Sequence, residues 1–246
     1  MYVPTSSIDV VWRHFRGRED VVAGPHHTLA GTAWEHHEPT VERFVEVYSM
    51  WGASDSPDNP LAVVRRTERS TSVDEILDSG AKLGFTGGGD CHEGHCGFSS
   101  EDPERQGKVP HGFAVVIPYR CGMTAALMES LDRRSLIWAL RERKTYATTG
   151  ARILLSFSVS GIPMGDEGEV ESATIEASVH GCGPLKAIEV VKDRKVVHRI
   201  ECSERDAVLR WQDPEPPTGE SWYYIRVVQA DGQMAWSSPV WVRSKR

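Results

Sequence analysis

The stretch KLGFTGGGD at residues 82–90 decides the fold expected for the first part of the chain. Its apolar beginning predicts a strand, and its three glycines let the backbone turn tightly before Asp90. Upstream, RFVEVYS (43–49) and VVAG (21–24) have the same short apolar pattern and are also predicted strands. Helical spacing of apolar residues predicts helices at 7–18, 72–80 and 133–144. Because strands alternate with helices, the sequence predicts a parallel sheet.

After Gly150 the sequence changes to short alternating strands separated by turn residues. KDRK (192–195) and QADG (229–232) are predicted hairpin turns. This pattern is typical of a small antiparallel β-sandwich of about seven strands. We therefore expect two domains, an α/β domain over residues 1–150 and an all-β domain over residues 151–246.

Composition narrows the class of partner. The chain has 28 basic and 35 acidic residues and a net charge of −7, with no basic cluster, so nucleic acid is not an expected partner. No apolar stretch approaches the ~20 residues that a membrane helix needs. The first residues lack the pattern of a signal peptide, and the five cysteines are scattered. These features predict a cytoplasmic protein.

Histidines are concentrated in the predicted α/β domain, which holds eight of the ten. His26 and His27 follow one predicted strand, and Asp90 and His92 follow another. Sites in parallel sheets lie at the carboxyl ends of the strands. An aspartate and a histidine two residues apart project to the same side, and their oxygen and nitrogen atoms suit zinc, manganese or iron. We predict these four residues as metal ligands. The alternative is a set of loop residues at strand ends that solvate the surface.

For several further residues the sequence leaves two interpretations open. His36 and His37 lie in a polar loop, and they either contact substrate or only face solvent. Glu46 lies inside an apolar strand, where it either pairs with a neighbouring group or supports a metal ligand. His95 belongs to the compact segment 91–96, which is too short to wrap a structural zinc ion easily, so we group it with substrate contacts. No catalytic residue can be assigned from these patterns.

Five segments together resemble the DUF3604 family, which is related to the PHP (polymerase and histidinol phosphatase) superfamily. They are PHHT (25–28), FVEVYS (44–49), KLGFTGGGDCHEG (82–94), GMTAALMESLDRRSLIWALRERKTYATTGARI (122–153) and YYIRVVQADGQMAWSSPVWV (223–242). The resemblance extends from about residue 7 to residue 242. The PHH motif of the family falls on His26 and His27, and its D-x-H motif falls on Asp90 and His92.

The resemblance implies a distorted βα barrel with a cluster of divalent zinc, manganese or iron ions at the strand ends. It also implies phosphoester hydrolysis, the prevalent activity of the wider superfamily. PHP proteins open with an H-x-H motif, which residues 1–25 lack, so the chain resembles the C-terminal portion of a longer protein. The expected fold is thus the C-terminal part of a PHP-type βα barrel followed by a small antiparallel β-sandwich.

The expected function is metal-dependent hydrolysis, phosphoesterase-like, of a small and possibly phosphorylated molecule. One alternative is a non-catalytic binding or assembly module. Exposed tryptophans could form a ligand surface for that role, although tryptophan in a small sandwich is more often buried in the core. The candidates are Trp211, Trp222, Trp236 and Trp241. A second alternative is a half-barrel completed by a partner chain that supplies the N-terminal part. Exposed strand edges of a half-barrel predict self-association.

Overall fold

A computed structural model describes residues 7–63, 67–90, 120–215, 217 and 219–245. Within these ranges the α-helices are α1 (Ile8–Phe15), α2 (Val73–Asp78) and α3 (Arg133–Arg141), and 3₁₀ turns cover Thr28–Ala30 and Trp34–His36. The strands are β1 (Phe44–Ser49), β2 (Gly52–Ala53), β3 (Gly84–Gly87), β4 (Met123–Ala126), β5 (Thr145–Thr148), β6 (Leu154–Val159), β7 (Ile162–Pro163), β8 (Glu167–Val170), β9 (Thr174–His180), β10 (Leu185–Lys192), β11 (Lys195–Glu201), β12 (Asp206–Gln212), β13 (Glu220–Gln229), β14 (Met234–Ser237) and β15 (Val240–Ser244).

The first layer is a three-stranded sheet in the order β2-β1-β3. Strands β1 and β3, at the predicted strands 43–49 and 82–90, pair in parallel, and α2 lies between them in the chain. Helix α2 begins with a capping box, in which Ser72 Oγ accepts from the Glu75 amide (3.2 Å) and the Glu75 carboxylate accepts from the Ser72 amide (2.8 Å). The predicted helices at 7–18, 72–80 and 133–144 are confirmed as α1, α2 and α3, each somewhat shorter.

The second and third layers form a β-sandwich. An eight-stranded sheet has the order β11-β10-β13-β14-β5-β4, with β15 pairing β13 and β8 beside this path. A four-stranded sheet, β12-β9-β6-β7, packs on one of its faces through a common hydrophobic core. Both predicted hairpin turns are confirmed. Between β10 and β11, Asp193 and Arg194 have φ angles of 45° and 71°, the left-handed pair that a two-residue type I′ turn requires.

Strand β13 explains how the three layers hold together. Its residues Tyr223 and Ile225 belong to the core shared with the four-stranded sheet. Its residues Trp222 and Tyr224 belong to a second core, shared with β1, β3 and α2. A strand with both faces buried has a continuous apolar sequence, as residues 222–225 do. The central sheet is therefore covered on both sides.

The prediction of a βα barrel is wrong. Such a barrel needs a ring of eight parallel strands, whereas β1 and β3 are the one parallel pair joined by a helix in the described residues. Strand β5 pairs antiparallel with β4 and with β14, and so joins the sandwich. In this position Tyr146 of β5 enters the core shared with the four-stranded sheet, and Ala147 enters the core shared with β1 and β3. The architecture is a β-sandwich with an added layer.

Other sequence-based predictions differ from the structure or lie outside the described residues. VVAG (21–24) forms only a single bridge, from Ala23 to Glu42, and is not a strand. The predicted loop 97–111 and strand 113–118 lie outside the described residues. The domain boundary near residue 150 stays a prediction, and the large sheet contains strands from both sides of it. None of the described helices has the length and apolarity needed to cross a bilayer.

Three of the four tryptophans considered for a ligand surface are buried in the cores: Trp222, Trp236 and Trp241. Trp211 is partly exposed and stacks on His198. A contiguous tryptophan surface is therefore not formed by these residues.

Candidate metal site

Three of the four predicted ligands lie together beyond the carboxyl ends of β1 and β3. Asp90 follows β3 in the chain, and His26 and His27 lie just before the first 3₁₀ turn. The Glu46 amide donates to the Pro25 carbonyl (3.1 Å), which holds the histidine segment alongside β1. Parallel pairing of β1 with β3 then brings Asp90 to the same edge. We call His26, His27 and Asp90 the metal trio.

The ligand atoms of the metal trio converge. Asp90 Oδ2 lies 2.7 Å from His27 Nε2 and 3.3 Å from His26 Nε2. One ligand atom from each residue lies within 4.8 Å of the other two. The side chain of His26 is 46% exposed, whereas those of His27 and Asp90 are 16% and 21% exposed. The group is therefore open to solvent on the His26 side.

Glu46 fixes the orientation of His26. Its Oε1 lies 3.0 Å from His26 Nδ1, on the side of the ring opposite to Asp90. A carboxylate in this position keeps the imidazole proton on Nδ1 and leaves the Nε2 lone pair available for a ligand. Gly88 allows Glu46 to lie there, because a Cβ at residue 88 would come within 2.5 Å of Glu46 Oε2.

The two imidazoles have opposite pKa shifts. Burial lowers the pKa of His26, but the hydrogen bond to Glu46 and the charges of Glu46 and Asp90 outweigh burial and raise it above its ordinary value. Burial dominates for His27 and lowers its pKa, despite the hydrogen bond to Asp90. Glu46 is thus the main carboxylate acting on His26, and Asp90 the main one acting on His27.

The backbone is strained at two members of the metal trio. His27 has a φ of 49° and Asp90 a φ of 47°, both in the left-handed region. For a residue other than glycine this conformation costs on the order of 1 kcal/mol, and such residues cluster at functional sites.

Ser49 was missed by the sequence reading. It is the last residue of β1, it is fully buried, and its Oγ lies 3.3 Å from His27 Nε2. The sequence contained a sign of this position. Ser49 is a polar residue at the end of a predicted strand, and sites in such sheets form at the strand ends.

The other predicted site residues are divided between separate places. His36 contacts Asp9 (3.1 Å), and His37 contacts Glu42 (3.0 Å) and stacks on Trp34, so neither joins the metal trio. His92 and His95 lie outside the described residues, and their roles stay predictions.

A second group of charged residues, which we call the Asp55 network, was also missed. Asp55 is fully buried, and its carboxylate accepts hydrogen bonds from Asn59 (2.9 Å), Arg226 (3.0 Å) and Trp236 (2.8 Å). Arg226 also donates to Glu189 (2.7 Å). The network joins the loop after β2 to the large sheet, so it connects two layers.

Asp74, in α2, lies beside the Asp55 network. Its Oδ1 accepts a hydrogen bond from the Tyr224 hydroxyl (3.1 Å). Burial, followed by the negative charge of Asp55, raises the pKa of Asp74 to about 8. The Asp74 carboxyl is therefore held in its protonated form at neutral pH.

Comparisons with known proteins leave the function open. No family model matches the chain. An uncharacterized protein of Chlamydia pneumoniae is 31% identical in an alignment of 249 positions. The alignment covers 91% of this chain and 38% of that protein. An uncharacterized protein of Chlamydia trachomatis serovar D is 28% identical over 86% of this chain and 36% of its own length. The chain thus spans little more than a third of the length of these curated relatives.

Two solved structures are similar to part of the chain. A fibronectin(III)-like module of Clostridium thermocellum CbhA matches 36% of this chain and 94% of its own, with 17% identity and a TM-score of 0.28. CopC from Methylosinus trichosporium OB3b matches 39% of this chain and 96% of its own, with 15% identity and a TM-score of 0.25.

Proposed function

We propose that this chain provides a divalent-metal site for the hydrolysis of a phosphoester in a small molecule. The observation that carries the proposal is the convergence of ligand atoms from His26, His27 and Asp90 within 4.8 Å. Two imidazole nitrogens and one carboxylate oxygen suit zinc, manganese or iron.

The spacing of the ligand atoms fits a single ion. Bonds of about 2.0–2.1 Å in tetrahedral geometry set two ligand atoms about 3.4 Å apart. The distance from His26 Nε2 to Asp90 Oδ2, 3.3 Å, already agrees with that value. The distance from His27 Nε2 to the same oxygen is 2.7 Å, so this pair has to separate by a fraction of an ångström on binding.

The number of ligands and their exposure favour a catalytic ion over a structural one. Structural zinc sites are closed by four protein ligands, whereas catalytic sites have three and leave one position for water or substrate. The metal trio supplies three ligands, and the half-exposed His26 leaves one side open. A bound divalent ion would supply Lewis acidity and a water of lowered pKa there.

The residues of the chain have separate tasks in this proposal. Asp90 contributes the negative charge that attracts a cation. Burial lowers the pKa of His27 and favours its neutral form, whose Nε2 would exchange its hydrogen bond with Asp90 for a bond to the ion. Glu46 keeps the proton of His26 on Nδ1, so that Nε2 remains a ligand. The phosphoester class rests on the resemblance to the DUF3604 and PHP proteins. A cytoplasmic location belongs to the same proposal, supported by the free thiols of Cys182 and Cys202.

The test is to load the protein separately with Zn²⁺, Mn²⁺ and Fe²⁺, and to measure bound metal and turnover of p-nitrophenyl phosphate. We expect Asp90→Asn and His27→Ala to lose most bound metal and all turnover. The matched control is the exposed His180–Asp206 pair (3.2 Å) on the four-stranded sheet. His180→Ala and Asp206→Asn should retain wild-type metal content.

Two outcomes separate the parts of the proposal. If Asp90→Asn keeps wild-type metal content, the ligand assignment is wrong. If the wild-type protein binds metal but does not turn over p-nitrophenyl phosphate or other phosphomonoesters, hydrolysis is rejected and a binding role for the metal site remains.

A further inference from the structure

A second cavity lies at the opposite ends of β1 and β3 from the metal trio. It has a volume of ≈ 670 Å³, which falls within the range of small-molecule sites. Arg43, just before β1, and Lys82, just before β3, line one side of it. Arg143, which follows α3, lines another. Strand β1 spans six residues at about 3.3 Å each, so this cavity and the metal trio are separate places.

Two guanidinium groups line the cavity without a carboxylate partner in the described part of the chain. Arg143 is only 7% exposed, and its Nε donates to the Gly165 carbonyl (2.8 Å). Arg43 donates from Nε to the Arg141 carbonyl (3.0 Å) and from Nη1 to the Pro39 carbonyl (3.3 Å). Backbone carbonyls position these guanidinium groups, and that of Arg143 also lies over the Trp241 ring, 5.3 Å from its centroid.

The side chains that line the cavity carry three positive charges, those of Arg43, Lys82 and Arg143, and two negative ones, those of Glu142 and Glu167. Lys82 pairs with Glu167 and with Glu220, which accounts for its charge. Among the described residues Glu142 makes no ion pair with either arginine, but its charge and that of Glu167 raise the pKa of both Arg43 and Arg143. Burial lowers the pKa of Arg43, and the charge of Arg143 lowers it further. Two repelling cations at a cavity are stabilised when an anion lies between them.

An aromatic wall completes the cavity. The rings of Trp34 and His37 stack on each other, with centroids 4.1 Å apart, and both residues line it. Trp34 is held in place by a hydrogen bond from Nε1 to Ser79 Oγ (3.2 Å). A planar organic group would find an apolar ring surface here, beside the two guanidinium groups.

We propose that this cavity binds a small planar molecule through its anionic group, a phosphate or a carboxylate, with Arg43 and Arg143 as the binding residues. A guanidinium group presents its donors in a planar fork that matches the oxygens of either anion. The site is independent of the proposed hydrolysis, because none of its residues belongs to the metal trio.

The test uses phenyl phosphate and benzoate, two probes that share a ring and differ in their anionic group. Binding is measured by isothermal titration calorimetry on the metal-free Asp90→Asn protein, so that the metal trio cannot contribute. We expect at least one probe to bind, and Arg43→Gln to weaken that binding by about tenfold or more. Arg210→Gln removes the same charge from a side chain that is 78% exposed on β12, and should leave binding unchanged.

Folding of each variant is checked by circular dichroism and thermal unfolding. If Arg43→Gln does not fold, Arg43→Lys keeps the charge but loses the fork, and weakened binding by this variant supports the proposal equally. The stronger probe identifies the anionic group. The proposal is overturned if neither probe binds, or if the arginine variants bind as well as the Arg210→Gln control.

Discussion

The metal trio and the Asp55 network both bring carboxylates together with nitrogen groups, but they differ in burial and in backbone strain. Asp55 is fully buried and satisfied by hydrogen bonds from three side chains. The metal trio is partly exposed, and two of its members have left-handed φ angles. One group joins two layers of the fold, and the other stands at the edge of a sheet.

The difference illustrates how a structural cluster would be told from the proposed binding site. A buried charge persists when every polar atom around it is paired, and removing one partner leaves the others in a low dielectric. A binding site instead keeps atoms available for a ligand and accepts local strain to point them there. Changes in the Asp55 network should therefore affect stability, whereas changes around the metal trio should affect affinity.

The largest expected effect is on folding, from Asp55→Ala. This substitution leaves the Arg226 guanidinium and the Trp236 indole N–H buried without their acceptor. Breaking a buried ion pair costs about 3–5 kcal/mol in the free energy of unfolding. Urea denaturation measures it. Asp58→Ala, an exposed residue of the same loop, should change stability by less than about 0.5 kcal/mol. If the two variants have the same free energy of unfolding, the network does not hold the layers together.

An intermediate effect is expected on metal affinity, from Glu46→Gln. The neutral amide loses the charge that orients His26, and such changes weaken metal binding by about 10–100-fold. A competition titration with a zinc chelator measures the affinity, while unfolding of the metal-free protein should change by less than about 1 kcal/mol. Glu42→Gln alters the same kind of pair at His37 (3.0 Å) and serves as the control. Equal zinc affinity of these variants would exclude Glu46 from the site.

The smallest expected effect within any one pH unit is a pH dependence of stability, removed by Asp74→Asn. The folded-state pKa of Asp74, about 8, lies above the unfolded value of 3.8, so the folded protein binds this proton more tightly. The stability that the proton contributes is fully present below pH 3.8 and is lost as pH rises through 8. The free energy of unfolding therefore falls by at most about 1.4 kcal/mol per pH unit. Asparagine imitates the protonated acid and keeps the acceptor for Tyr224.

Urea denaturation of the wild type and of Asp74→Asn at pH 5, 6, 7 and 8 tests this prediction. Both proteins contain the same histidines, so the histidine contribution cancels when their free energies of unfolding are subtracted. The neighbouring charges of Asp55, Arg226 and Arg194 are also common to both. Curves that remain parallel over this range would mean that Asp74 ionises in the folded protein as it does in the unfolded chain.

The sequence predicted local structure and the convergence of the trio well. The capping box at Ser72 and Glu75 and the turn at Asp193 and Arg194 depend on neighbouring residues, so their patterns are visible in the chain. The rule that parallel strands end at the same edge of a sheet accounts for Asp90, whereas His26 and His27 reach that edge beside the hydrogen bond from Glu46 to Pro25, because VVAG (21–24) is not a strand.

The sequence did not predict which sheet each strand joins. Strand β5 pairs antiparallel with β14 and is buried at all four positions, a burial that a strand of a parallel sheet would also have, so its sequence does not distinguish the two. Asp55 is separated from Arg226 by 171 positions, and a polar loop gives no local sign that one of its carboxylates is fully buried. Long-range pairing and burial depend on the packed layers, which the periodicity of a single segment does not encode.

The two-sided burial of β13 has a consequence for synthesis on the ribosome. Val45, Val47 and Phe85 emerge early, yet they pack against Tyr224 and Trp236, which are made more than a hundred residues later. Until then these apolar side chains lack their native cover, so the nascent chain passes through a long interval in which chaperones have an exposed surface to bind. Stop codons placed before Glu220 should therefore yield aggregates rather than a shorter folded protein.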